Sequence, residues 1–174
     1  ADIVPLPVPL APDTFHMFDA ERLASMRRDQ ILINTSRGAV VDNTALRDLL
    51  ARRPAASCSP DTLCDHAPGG PGAVVLDVWE NEPDIDRELL KRAAIATPHI
   101  AGYSADGKAN ATRMTLEAVA RWTGHNEHFS ILPPEAAPTR TALNYDPTED
   151  TLPLKLHPED FEQQRGNYPL RREA

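Results

Sequence analysis

Four residues have the types and spacing to do chemistry together: Arg37, Asp77, Glu82 and His99. Asp77 ends the apolar run Ala73-Val74-Val75-Leu76, and Glu82 follows one tight turn later. His99 comes after a further acidic, helix-like segment, in Pro98-His99-Ile100-Ala101-Gly102. Imidazole titrates near neutral pH, which suits a general acid–base. A carboxylate beside it would orient the ring and favour its charged form. The plainer reading makes His99 a polar residue closing a strand and Glu82 a solvated charge in Glu80-Asn81-Glu82-Pro83. Arg37 sits in the glycine-containing loop Thr35-Ser36-Arg37-Gly38, where a guanidinium could grip a carboxylate with two parallel bonds. A surface arginine is its commoner fate. Asp77, at a strand end, could accept a hydrogen bond from a cofactor or simply close a turn.

The elements that carry these residues read as α/β. Ala1–Val4 is a short strand, interrupted by Pro5, Pro7 and Pro9, which cannot donate to a ladder. Asp19 is a candidate cap before Ala20. Ile31-Leu32-Ile33 is continuously apolar, as in a parallel strand covered on both faces. Asp42 would cap a helix over 43–53, with Ala45, Leu46, Leu49 and Leu50 inward. Ala73–Val78 is the third strand, Ile85–Arg92 a short helix, and Ile95–Thr97 a short extended stretch. Ser104 caps a long helix, 105–123, whose stripe holds Thr112, Leu116, Val119 and Ala120. Strand–helix alternation of this kind predicts the second half of a doubly wound, Rossmann-like parallel sheet. Ligands of such sheets lie beyond the carboxyl ends of the strands, where the four residues fall.

Composition narrows the partners. The 174 residues carry a formal charge of -8, from 18 basic and 26 acidic side chains, which argues against nucleic acid or an anionic membrane. No apolar run approaches the roughly 20 residues of a membrane helix, and no signal peptide is legible. Two cysteines make no disulfide framework, so a cytoplasmic setting is expected. Residues 54–72, rich in Pro and Gly, read as a loose insert. Within it Cys58, Cys64 and His66 match no common zinc spacing, so no metal site is expected. Gly69-Gly70-Pro71-Gly72 follows no strand and cannot cradle a phosphate, because proline lacks the amide needed. Entering on a strand without an initiating Met, the chain reads as a fragment. A G-x-G-x-x-G half-site is expected upstream, and the isolated chain is expected to be inactive. Residues 125–174, broken by Pro133, Pro134, Pro138 and Pro153, are not expected to fold alone.

Three motifs in order resemble the D-2-hydroxyacid dehydrogenase family: Ile33-Asn34-Thr35-Ser36-Arg37-Gly38-Ala39-Val40-Val41-Asp42, Leu76-Asp77-Val78-Trp79-Glu80-Asn81-Glu82-Pro83 and Thr97-Pro98-His99-Ile100-Ala101-Gly102. The resemblance covers nearly the whole chain except 54–72; Pro7 stands where the family usually has a histidine. It implies hydride transfer from C2 of a hydroxy acid to NAD. Arg37 would bind the substrate carboxylate and 2-oxygen, His99 would exchange the proton, and Glu82 would pair with His99. Thr35, Ser36, Arg37, Asp77 and Gly102 would contact NAD, and Tyr103 the substrate. Tyr103-Ser104, Gly107-Lys108-Ala109 and the tail Phe161…Arg165…Tyr168…Arg171-Arg172 are similar to members that act on phosphorylated hydroxy acids and dimerise through a C-terminal domain. The implied division is 1–102 for half of an NAD-binding domain, 103–129 for a returning helix, and 130–174 for a truncated dimerisation segment of a homodimer. Alternatives are family members acting on phosphoglycerate or on hydroxypyruvate and glyoxylate, or a non-catalytic NAD-binding relative.

Overall fold

The computed structural model describes residues 1–52, 68–125, 128–133, 146–169 and 171–172. Cys58, Cys64 and His66 of the insert lie outside them. The described residues form two compact units, one of Ala1–His99 with Pro147–Arg165, the other of Ile100–Asp146 with Gly166–Ala174.

In the first unit the strands β1 (Ile3–Pro5), β2 (Ile31–Asn34), β3 (Ala73–Leu76) and β4 (Ile95–Ala96) form one parallel sheet in sequence order. The fourth strand is the stretch read as merely extended; its two residues pair with Val75 and Leu76. Pro5 falls inside β1 rather than after it. The Asp2 carbonyl and the Leu6 N–H point at β2. Alternation therefore turns the missing Pro5 donor to the opposite edge, where no pairing within this sheet is lost.

Helices α1 (Ala20–Ser25), α2 (Asn43–Ala51) and α3 (Arg87–Arg92) each begin on an aspartate. Asp19 accepts from Arg22 N and Asp42 from Ala45 N, as read from sequence. Helix α3 starts two residues later than expected because Asp86 takes the cap, accepting from the amides of Glu88 and Leu89. Ile85, just outside the cap, and Leu90 are both buried, as a hydrophobic staple requires. The core joins Leu32, Val74 and Leu76 of the sheet to Leu23, Leu46, Leu50, Leu89 and Leu90 of these helices. The other sheet face, bearing Ile31, Ile33, Ala73 and Val75, is half-buried among the described residues.

A stretch of the proline-broken tail folds with this unit. Helix α5 (Thr148–Leu156) tolerates Pro153 within its nine residues and drives Leu154 into the core; α6 (Phe161–Gly166) adds Phe161. Thr151 Oγ1 accepts the Ala96 amide of β4 at 3.0 Å. Lys155 Nζ donates to the Ala93 carbonyl at 2.6 Å, just past the end of α3, and burial pushes its pKa down.

In the second unit α4 (Ala105–Trp122) is capped by Ser104, which accepts from Gly107 N. Its buried positions are Ala105, Ala109 and Ala120; of the expected stripe Ala120 is buried, while Leu116 at 37% and Val119 at 52% are exposed. Arg172 forks onto the Asp106 carboxylate with two bonds of 2.8 Å. No described helix is long and apolar enough to cross a membrane.

Because Leu154 is fully buried, Leu154→Ala should cost about 2–5 kcal/mol of unfolding free energy, read from urea titration of the chain. A loss within the scatter of exposed-site variants would show that α5 does not belong to the cooperative core.

Candidate active site

In-register pairing sets the geometry. Asn34 pairs with Leu76, and Leu76 with Ala96. The next residues, Thr35, Asp77 and Thr97, therefore leave the sheet side by side. Thr97 Oγ1 donates to Asp77 Oδ1 at 2.6 Å, and Asp77 is buried. The Asp77 carbonyl accepts the His99 amide at 2.8 Å. Asp77 thus anchors the following loop through both its side chain and its backbone.

His99 adopts a left-handed conformation, φ 55°, one that non-glycine residues take at an energetic cost and that clusters at functional sites. The turn aims its ring at the loop after β3. His99 Nδ1 lies 2.7 Å from Glu82 Oε2, and Glu82 Oε1 accepts the Trp79 amide at 2.8 Å. Both side chains are less than a quarter exposed. A carboxylate can only accept, so Nδ1 carries the proton of this bond. His99 Nε2 has no hydrogen-bond partner among the described residues. The Trp79 indole donates to the Thr97 carbonyl at 3.1 Å, which ties the glutamate loop to the histidine loop a second time.

The arginine loop winds around buried Asn34. Its Nδ2 donates to the Arg37 carbonyl at 2.9 Å, and its Oδ1 accepts from Ser36 N and Oγ. Arg37 is exposed; its Nη1 donates to the Ser36 carbonyl, and no carboxylate pairs with it among the described residues. Thr35 is exposed and Ser36 half-buried. Gly38 presses so closely on the Trp79–Glu80 peptide that a Cβ would sit 2.0 Å from the Trp79 carbonyl carbon. Asn43, at the start of α2, completes the clamp: its Oδ1 accepts from Glu80 N, while Glu80 Oε2 accepts from Asn43 N.

The first unit therefore brings Glu82 and His99 into contact. Asp77 lies at the root of the histidine loop, and the Arg37 loop packs on the glutamate loop. Gly102 and Tyr103 belong to the second unit. Gly102 has φ 82° and open space where a Cβ would stand; Tyr103 lies under Lys108 Nζ, 4.5 Å from the ring centroid. Sequence reasoning missed Asn43, Thr97 and above all the pairing of Glu80 with His16, partners 64 residues apart with no periodicity to join them.

Residues 1–70 match the family described as D-isomer specific 2-hydroxyacid dehydrogenase, NAD binding domain. An erythronate-4-phosphate dehydrogenase of Bacteroides thetaiotaomicron is 43% identical over 185 residues, spanning 99% of this chain and 49% of that protein. Over residues 1–70 the chain belongs to the D-isomer specific 2-hydroxyacid dehydrogenase family. The Escherichia coli erythronate-4-phosphate dehydrogenase is 38% identical over 197 residues, with 99% of this chain and 48% of that protein covered. The chain thus spans about half the length of the curated relatives it matches. Among solved members of similar fold, a D-lactate dehydrogenase from Aquifex aeolicus, complexed with NAD and lactic acid, superposes with a TM-score of 0.54. It is 30% identical, over 71% of this chain and 38% of that one. A glyoxylate reductase from Paecilomyes thermophila gives 0.54 and 27%, over 76% and 35% of the two chains.

Gly38→Ala forces the Arg37 loop and the Trp79–Glu80 peptide apart. It should destabilise the chain by about 1–3 kcal/mol, as overpacking does, and shift the Trp79 indole N–H resonance; an unmoved resonance in a fully stable variant would refute the clamp.

Proposed function

We propose that the protein containing this chain oxidises 4-phosphoerythronate to 3-hydroxy-2-oxo-4-phosphooxybutanoate with NAD, a step of pyridoxal 5'-phosphate biosynthesis. The observation that carries this reading is the Glu82–His99 pair, 2.7 Å apart beyond the strand ends, in a chain 43% identical to an erythronate-4-phosphate dehydrogenase.

The residues fit a nicotinamide cofactor. The loop after β2 carries exposed Thr35 and Arg37 around half-buried Ser36, whose hydroxyl also donates to Asn34 Oδ1, and buried Asp77 places a carboxylate at the neighbouring strand end. Thr35, Ser36, Arg37, Asp77 and Gly102 would hold it. Bound NAD supplies the hydride acceptor. His99 Nε2 takes the proton of the C2 hydroxyl as C2 is oxidised. Glu82 keeps the Nδ1 proton in place, so that in the neutral ring the lone pair lies on Nε2, and its carboxylate offsets the positive charge that the ring gains. Arg37, without an acidic partner among the described residues, has its fork available for the substrate carboxylate and 2-oxygen. Tyr103 lines the substrate side. Residues 1–102 form the second half of the NAD-binding domain and 103–129 the helix returning to the substrate domain. Residues 130–174 contribute to dimerisation of a cytoplasmic homodimer.

The test is a chimera in which this chain replaces the aligned part of the Bacteroides thetaiotaomicron relative. It should reduce NAD with 4-phosphoerythronate and markedly less with 3-phosphoglycerate; the reverse preference would overturn the substrate. Within it, His99→Ala should lower kcat by about 10²–10⁴-fold, the weight of general acid–base catalysis. Arg37→Lys loses the two-pronged bond and should cost roughly 10–100-fold in kcat/KM, mostly through KM. Unaltered kinetics in either variant would remove the role assigned to that residue.

A further inference from the structure

Glu80, two residues before Glu82, takes no part in the proposed chemistry, yet it is held from two sides. Its Oε1 lies 2.7 Å from His16 Nε2, and its Oε2 accepts the Asn43 amide at 2.9 Å. Its own N–H returns a bond to Asn43 Oδ1. Asn43 is buried and donates to the Val41 carbonyl at 2.8 Å, so it is itself fixed. His16 is anchored too: its N–H donates to the Ala39 carbonyl at 2.8 Å, and its ring stacks on Phe15 with centroids 4.0 Å apart. Its Nδ1 lies 3.7 Å from the Asp42 carboxylate. Glu80 thus joins three stretches distant in sequence: the segment after β1, the start of α2 and the turn after β3.

That turn needs holding. Asn81, between Glu80 and Glu82, has φ 60°, a left-handed conformation that turns the chain sharply and that asparagine adopts more readily than most residues. Glu82 must nevertheless present one oxygen to the Trp79 amide and the other to His99. Asp42, His16 and Glu80 offer ligand atoms within 4.8 Å of one another. In this structure His16 Nε2 and Glu80 Oε1 instead hydrogen-bond directly to each other.

We propose that Glu80, gripped by His16 and Asn43, is a positioning residue that fixes the Trp79–Glu82 turn and so holds the Glu82 carboxylate against His99 Nδ1. It rests on the reading of His99 as the proton-handling group, but its test needs no turnover.

The experiment is NMR of the isotopically labelled 174-residue chain, following the His99 Nδ1–H proton, which the bond to Glu82 shields from exchange with water. Glu82→Ala removes the acceptor and sets the signature of a lost bond. Glu80→Ala should reproduce it, with exchange faster by about tenfold or more, the scale of one lost hydrogen-bond anchor. Glu80→Gln should preserve the resonance, since the amide still accepts from Asn43 and donates to His16. Should Glu80→Ala fail to fold, His16→Ala, at a partly exposed ring, decides; it too should speed exchange. A sharp His99 resonance in folded Glu80→Ala, or in His16→Ala, overturns the proposal, as does a Glu80→Gln variant as defective as Glu80→Ala. An inactive chimera would refute the proposed function and leave this result standing.

Discussion

The Glu82 carboxylate is the point on which the site turns. One oxygen accepts the Trp79 amide and the other the His99 imidazole, so a single side chain closes its own turn and orients the ring of another loop. This bond requires the loops after β3 and β4 to emerge side by side. The parallel register supplies that: Leu76 opposite Ala96 puts Asp77 beside Thr97, and their hydrogen bond draws the histidine loop toward the glutamate loop. A slip of one residue in that register would turn Asp77 to the other face and separate the pair.

The surrounding contacts restrain what the register brings together. Gly38 admits the Trp79–Glu80 peptide at a distance no Cβ would allow, and Asn43 exchanges two hydrogen bonds with Glu80. Two loops and the start of α2 are thereby locked to one another, while the Arg37 guanidinium stays exposed. Rigid support behind exposed or partly exposed polar ends is what pre-organised chemistry needs, because the groups need not be ordered anew in each cycle. Left-handed backbone at His16, Asn81 and His99, residue types that adopt it more readily than most, forms the sharp turns of this support.

Much of the fold could be read locally. Asp19, Asp42 and Ser104 cap helices because their side chains satisfy amides within the next three residues, a relation that one window of sequence contains. Asp86 obeys the same rule but lies among other acidic residues, and Ile85 drew the expected start of α3 too early. The tail was harder. Prolines suggested breaks, yet Thr151 and Leu154 pack in the first unit beside strand β4, whose Ala96 amide bonds Thr151. That stabilisation depends on a partner about fifty residues away. On α4, apolar spacing implied a buried stripe, but of it only Ala120 is buried, together with Ala105 and Ala109, while Leu116 and Val119 stay exposed.

The residue types and their order determined the α/β class, the strand-end placement of Thr35, Arg37, Asp77 and His99, and the likeness to the 2-hydroxyacid dehydrogenases. These follow from apolar runs, caps and short motifs, all of which are local. Only the tertiary structure decided how Glu82 reaches His99, that Asp77 also bonds Thr97 and the His99 amide, and that Glu80 answers to His16 and Asn43. Each is a hydrogen bond between side chains or loops far apart in the chain. Its length depends on strand register and close packing, quantities no single segment of sequence contains.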